Sequence, residues 1–470
     1  MKSTVYKKAY FQNSLKFKNI LINLLLLLIF YFSGYAQCFR DIATGASHSL
    51  TLKSDESLWS WGNNGAGQLG IGNIQNTNAP EQVGGANNWD AIAAGFAHTL
   101  AIKNDGTLWA WGWNIKGQLG DGTNNNTDIP IQIGSATDWF AVAAGDSHSL
   151  ALKANGTLWA WGDNTFGQLG DGTLIDKNLP TQIGSATNWV SIDAGATHSV
   201  SGKLDGTLWA WGNNGNGQLG DSTNISRDTP VQVSVLTSVY LIAAGGYHTL
   251  ALKSDGTLWS WGLNDKGQLG NGNNTGTNVP AQIGSGLYEN IAAGSKHSLA
   301  VSNLDDLFTW GDNTYGQLGN GSTVDSNIPV EIGAGTQWRL PSGGNDYSIV
   351  IDRSDFLYAF GRNNLGQLGN GNNTNQLIPV QISCDPLALD EVAFNSTLKI
   401  FPNPTNGLVS IISNSELPLV AVVYDVFGKQ LIHKENIEFI DFSGLSSGIY
   451  FLTIKDAEKQ NSITTKIIKN

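Results

Sequence analysis

Cysteine occurs twice and methionine once in this chain of 470 residues, and only 14% of the residues are charged. Two cysteines can neither staple a row of disulfide-rich modules nor supply a thiolate metal cluster. Five of the 26 basic residues are arginine, 38 residues are acidic, and the formal net charge is −12. Binding to nucleic acid draws on a basic surface that releases counterions, so nucleic acid is not expected as a partner. No H-E-x-x-H, G-x-S-x-G or Walker-type stretch occurs, and no metal or cofactor is expected. The longest apolar run, Ile20 to Phe32, holds 13 positions and is broken by Asn23, too short for a stable membrane span. Helical periodicity is missing throughout.

The apolar run belongs to a targeting segment. Lys2, Lys7, Lys8, Lys16 and Lys18 precede it and Ser33 to Ala36 follow with small residues for a peptidase, so residues 1–36 read as a cleaved secretory signal. Gln37, rather than a small residue, precedes Cys38, which argues against a lipid-anchored start. Removing these five lysines, which are accompanied by no acid, takes the net charge from −12 to −17. Residues 37–384 hold 14 basic and 28 acidic residues, a net of −14.

What the chain does have is a repeat. Gly-Gln-Leu-Gly begins at Gly67, Gly117, Gly167, Gly217, Gly267, Gly316 and Gly366, in steps of 50 with one of 49. Six units carry a histidine at one place, His48, His98, His148, His198, His248 and His297, and the seventh has Tyr347 there. Within a unit, Ser149–Leu152 and Thr157–Trp161 favour strands, and Asn155-Gly156 or Asp-Gly between them is a two-residue hairpin signal. Pro180–Ile183 reads as an edge strand and Trp189–Ile192 as a fourth. Seven units of four antiparallel strands predict a β-propeller. A linear solenoid is the rival, but its capping units are missing.

Phe39–Gly45 matches Trp139–Gly145, whereas the last copy stops after Pro379–Ile382. The two termini are therefore expected to pair within one blade and close the ring. On a common repeat frame Cys38 falls at the place of Asp138 and Cys384 at that of Ser135, so a Cys38–Cys384 disulfide is expected across the closure in an oxidising compartment.

Repetition makes the six histidines scaffolding rather than catalytic residues. The paired tryptophans, Trp59 and Trp61 in the first unit, read as packing between neighbours, as do their copies. Polar loops such as Asp121–Asn126 lack calcium-ligand spacing and read as turns. Ligand contacts are expected where the copies disagree: at Trp113, and on the turns before Gly-Gln-Leu-Gly, at Lys116, Phe166, Lys266 and Tyr315. The seventh unit drifts most. Phe356 takes the glycine place of its hairpin, and Arg339, Arg353 and Arg362 collect in it, with Arg40 on the closing strand, as a cationic spot suited to a carboxylate or sulfate.

The runs A-G-x-x-H-S-L-A-L, D-G-x-L-W-x-W-G and N-x-x-G-Q-L-G between Cys38 and Cys384 resemble the regulator of chromosome condensation repeat. The resemblance implies a seven-bladed propeller and, by itself, no function. Export and acidity both disfavour that family's nuclear role at chromatin. After a short acidic linker, 385–394, the repeat gives way to Leu398–Pro404, Val422–Lys429, Asp441–Leu452 and Thr465–Lys469. Residues 395–470 resemble the C-terminal sorting domain of the type nine secretion system of Bacteroidetes. That resemblance implies an immunoglobulin-like β-sandwich, read by the outer-membrane exporter and usually removed. The expectation is an all-β chain: a seven-bladed propeller over 37–384 plus the small sandwich. It would be a secreted or cell-surface monomer that binds an extracellular protein first and a glycan second. The competing classes are a polysaccharide-acting enzyme, an enzyme inhibitor on the same scaffold, and a structural adhesin.

Overall fold

The computed structural model describes residues 38–383, 399–412, 419–425, 429–435, 437, 439–456 and 462–470. They fall into two compact units divided between residues 384 and 385. The targeting segment, Cys384 and the linker lie outside the described residues. Among the described residues every regular element is a strand.

The first unit is seven four-stranded antiparallel sheets, each built from four consecutive strands. In the first blade these are Phe39–Thr44, His48–Lys53, Leu58–Gly62 and Thr77–Gln82. In the seventh they are Trp338–Gly343, Tyr347–Asp352, Leu357–Gly361 and Gln376–Ile382. The expected shared closing blade is therefore absent: Phe39–Thr44 pairs with His48–Lys53 in its own sheet. The physical reason lies in the connections. Three residues, 45–47, join the first two strands as a tight hairpin, and the loop from Gln82 to Trp89 is long enough to pass to the next blade.

The hairpin between the second and third strands also differs from expectation. Four residues, 154–157, separate its strands, Lys153 N donates to Thr157 O at 3.1 Å, and Gly156 alone takes a positive φ, +78°. In the seventh blade that place belongs to Asp355, φ +62°, and not to Phe356.

One joint is repeated around the ring. Trp111 is fully buried between blades, and its Nε1 donates to the Gln68 carbonyl of the preceding blade at 2.9 Å. The same carbonyl accepts from Thr99 Oγ1 at 2.8 Å. With that hydroxyl proton committed, His48 Nε2 must be the donor in its 3.1 Å bond to Thr99 Oγ1. Equivalent bonds join His98 to Ser149, His148 to Ser199, His198 to Thr249, His248 to Ser298 and His297 to Ser348. At the seventh joint Tyr347 reaches further and donates to His48 O at 2.6 Å, while Ser49 Oγ donates to Gln367 O at 2.8 Å. Gly-Gln-Leu-Gly is thus the socket of a joint: its Gln carbonyl takes two donors from the next blade. Its last glycine leaves room for the tryptophan, since a Cβ on Gly70 would lie 2.6 Å from Trp111 Nε1.

The other tryptophan of each pair is half-buried toward the hairpin end of the blade. Trp109 meets Trp89 edge-on at 6.0 Å, and Lys103 Nζ lies 4.0 Å from its ring centroid.

The second unit is two sheets, one of Lys399–Phe401, Leu408–Ile412 and Phe439–Asp441, the other of Leu419–Tyr424, Gln430–Glu435, Gly448–Asp456 and Ser462–Lys469. Both sheets contribute to one core, with Val409, Ile411 and Ile440 against Val423, Leu452, Ile454 and Ile467.

Candidate functional site

Because successive strands alternate in direction, the 45–47 turn and the long 63–76 loop of a blade lie at the same end of the sheet. The 54–57 hairpin lies at the other. Trp113 N donates to Ala97 O at 2.8 Å, and each of the seven blades repeats this tie between its outer loop and its inner turn.

At that end the inner turns make a collar around the axis. Ala46 N donates to Gly95 O, Phe96 N to Gly145 O, Asp146 N to Ala196 O, Ala196 N to Gly246 O, Gly246 N to Ser295 O, Ser295 N to Gly344 O and Asn345 N to Ala46 O. Seven bonds return to their start, so the ring is closed by backbone. The collar surrounds a cavity of about 290 Å³ lined mainly by alanine and glycine from all seven inner strands.

Small residues line it because the Ala-Gly turn must admit the histidine. A Cβ on Gly95 would sit 2.3 Å from His98 Cε1 and 2.4 Å from Gly145 O. Each histidine Nδ1 is buried without a hydrogen-bond partner among the described residues. Burial without a counter-charge lowers the histidine pKa to about 3 for His48, His98, His198 and His248. It falls only to about 4 for His148 and His297, where Asp163 and Asp312 oppose the desolvation.

On this regular lining the copies differ in a few polar and aromatic residues: Phe96, Asp146, Asp193, Tyr247, Asn290 and Asn345. Asp193 Oδ2 accepts from Ala244 N of the next blade at 2.7 Å. Burial raises the Asp146 carboxyl to about 6. These axial residues were not among the sequence candidates. The signal was present, since Asp146 and Asp193 stand where the first unit has Ala46 and Ala43.

Of the expected contacts, Trp113 stands at the cavity mouth, its ring 6.3 Å from Phe96, which lines the cavity. Phe166 is exposed on the outer loop of the next blade at the same end. Lys116 and Lys266 hold blades together: Lys116 pairs with Asp163 at 3.0 Å and Asp176 at 3.1 Å, Lys266 with Asp312 at 3.3 Å and Asp325 at 3.0 Å. Tyr315 lies under Arg362, 4.7 Å from the guanidinium carbon to the ring centroid.

The arginines do not form one spot. Arg362 is at the collar end, paired with Asp346 at 2.9 Å. Arg353 is on a hairpin at the other end, paired with Glu289 and Asp305. Arg339 pairs with Asp355, and Arg40 lies 3.9 Å from Glu56 and donates to Trp89 O. Each is matched by a carboxylate, which removes the surplus positive charge that an anion site would need.

Fold and site together define a closed seven-bladed repeat propeller with an acidic axial cavity at one end. Family models for the regulator of chromosome condensation (RCC1) repeat match residues 55–102, 105–152 and 155–201, and a second model of the repeat matches 39–68, 89–118 and 141–168. An RCC1-like domain model matches 187–401, and the secretion system C-terminal sorting domain matches 399–470. The chain is a regulator of chromosome condensation repeat protein that ends in a type IX secretion sorting domain. That tail indicates export to the cell surface or extracellular space. Human WBSCR16 is similar at 21% identity and a TM-score of 0.64, over 70% of this chain and 95% of its own. Yeast RCC1 (Prp20), solved bound to Kap60, is 20% identical with a TM-score of 0.64, over 82% and 95%. Prp20p of Saccharomyces cerevisiae, studied for binding to Gsp1p and histones, is 22% identical with a TM-score of 0.63, over 81% and 94%. At these identities the likeness concerns the fold. No curated protein matches the chain.

Proposed function

We propose that this exported propeller is a binding module, not an enzyme, and that it takes a protein partner at the collar end of the ring, with glycan the second ligand class. One observation carries the reading: unlike polar and aromatic residues, Phe96, Asp146, Asp193, Tyr247 and Asn345, converge on one cavity in a ring whose other parts repeat. Exposed Ile115 and Phe166 and the Trp113–Phe96 pair extend this surface outward. That Prp20p, of the same fold, was studied for binding to protein partners supports the class but not a particular ligand. A polysaccharide hydrolase is the second reading, because two carboxylates line the cavity. Asp193 is engaged by the Ala244 amide, which weighs against a working acid–base pair.

Capture from extracellular fractions tests the module. Phe96→Ala with Trp113→Ala should lose the bound protein, whereas Leu204→Ala, at an exposed hairpin tip, should keep it. The reverse pattern would move the binding face to the hairpin end.

The Cys38–Cys384 disulfide remains part of this proposal. Cys38 is buried beside Phe39, Leu340, Ile349 and Ile382 at the seam between first and seventh blades, and Ile382 lies two residues before Cys384. None of the described cysteines is free. Peptide mapping without reductant should yield the linked pair, and reduction should cost about 4 to 5 kcal/mol of stability. Two alkylated thiols in the untreated secreted protein would refute the bond.

A further inference from the structure

Asp146 is the feature of the collar that the ring does not use. Its amide serves the circle of backbone bonds, but its carboxylate has no hydrogen-bond or ion-pair partner among the described residues. Among the described residues the cations of this end are already engaged: Lys116 by Asp163 and Asp176, Lys177 by Asp171, Arg227 by Asp221, Lys266 by Asp312 and Asp325, Lys296 by Asp265, and Arg362 by Asp346. Among the described residues no lysine, arginine or histidine lines the cavity, and the only other acid there is Asp193.

The side chain is part-buried, and a carboxylate lodged in this cavity without a counter-charge is less well solvated than one in open water, a deficit that a cationic ligand makes good. Burial lifts this carboxyl to about 6, so near neutral pH it is still mostly ionised. Two aromatic residues of the lining, Phe96 and Tyr247, suit the same charge sign, since ring faces attract ammonium and guanidinium groups. The volume, about 290 Å³, is at the lower edge of the range for small-molecule pockets. It admits one side chain, while apolar surface continues from the lining Phe96, 46% exposed, outward to Ile115 and Phe166, 60% and 41% exposed. Such a division, a narrow charged socket inside a broad rim, fits a residue presented on a folded partner better than a free amine.

We infer that the axial cavity receives a single lysine or arginine side chain from a loop of a protein partner, its cationic head paired with Asp146 and its stem lying along the alanine and glycine collar. This rests on the collar end being the binding face.

The test uses the full secreted chain and four probes: acetyl-Gly-Lys-Gly-amide, its arginine and norleucine counterparts, and glucosamine, followed by calorimetry or NMR shifts. The lysine and arginine peptides should bind at least about tenfold more tightly than the norleucine peptide, and Asp146→Asn should erase that difference without lowering the melting temperature. Equal binding of the norleucine peptide, or an Asp146→Asn variant that keeps the preference, overturns the inference. Preference for glucosamine also overturns it, in favour of an amino sugar. Partner capture that survives Asp146→Asn but fails with Phe96→Ala and Trp113→Ala leaves the binding face standing and removes only the cationic side chain.

Discussion

Acidification from about pH 6 to about pH 4 should unfold the propeller with a net uptake of about five protons. Six histidines are fully buried with pKa values held at about 3 to 4, against 6.5 in an unfolded chain. Above pH 6.5 neither state protonates them and their contribution to stability is complete. Below it the unfolded chain binds protons that the folded one refuses, so stability falls with pH until the folded values are reached. Each histidine contributes about 1.4 kcal/mol per pH unit in that window, and six together about 8. Over two pH units that is about 16 kcal/mol before the offset below, comparable with the whole 5 to 15 kcal/mol that holds a typical domain. Asp146 has the opposite sign: its folded value, about 6, lies above the usual 3.8, so the folded state gains its proton first and offsets about one of the six. Intrinsic tryptophan fluorescence against pH, with proton uptake by potentiometry, measures both quantities. A ring that stays folded at pH 3.5, or unfolds with uptake of one or two protons, would show that the histidines are not buried neutral in the joints.

Gly95→Ala should be among the most damaging single methyl groups in the propeller, costing more than about 4 kcal/mol. The new Cβ would meet His98 Cε1 at 2.3 Å and Gly145 O at 2.4 Å, and neither is the loose end of a flexible side chain. The ring nitrogen of His98 is tied to Ser149, and Gly145 O accepts Phe96 N in the collar. Relief would have to come from opening one joint of a circle whose other six joints depend on the same spacing. Gly134→Ala is the matched control. That glycine has φ +63° with nothing within 4 Å of the added methyl, so only the backbone cost of about 1 to 2 kcal/mol remains. Denaturant unfolding of both variants decides the point. Similar midpoints would mean that the collar can shift to admit a side chain.

The seven blades were legible because each unit repeats one pattern at a nearly fixed period, and the histidines could be assigned to scaffolding for the same reason. Where a blade begins was not legible. A tandem repeat has no natural start, and taking Trp189–Ile192 as the last strand of one unit or the first of the next satisfies the same strand count. The three-residue turn at 195–197 decides it, since it makes Trp189–Ala194 hairpin with His198–Lys203. The arginines misled for a related reason. Arg353 and Arg362 are close in sequence, but the strand between them carries them to opposite ends of the blade, and partners from other blades, Glu289 and Asp305 among them, were invisible in a local reading. The turns before Gly-Gln-Leu-Gly drew attention as the most variable stretch, yet Lys116 and Lys266 vary there in order to reach acids of the next blade. The axial substitutions were quieter, one residue in an otherwise repeated Ala-Ala-Gly. They matter because the inner strands converge on the axis, where seven single changes share one cavity.

Oxidative footprinting of the propeller with its captured partner addresses the binding face most directly, since Phe96, Trp113 and Phe166 are reactive aromatics at the collar end and Leu204 and Leu304 are exposed at the hairpin end. Protection of Phe96 and Trp113 on complex formation, with Leu204 and Leu304 unchanged, is the predicted result. Protection of the two leucines while Phe96 and Trp113 oxidise as in the free protein would contradict it.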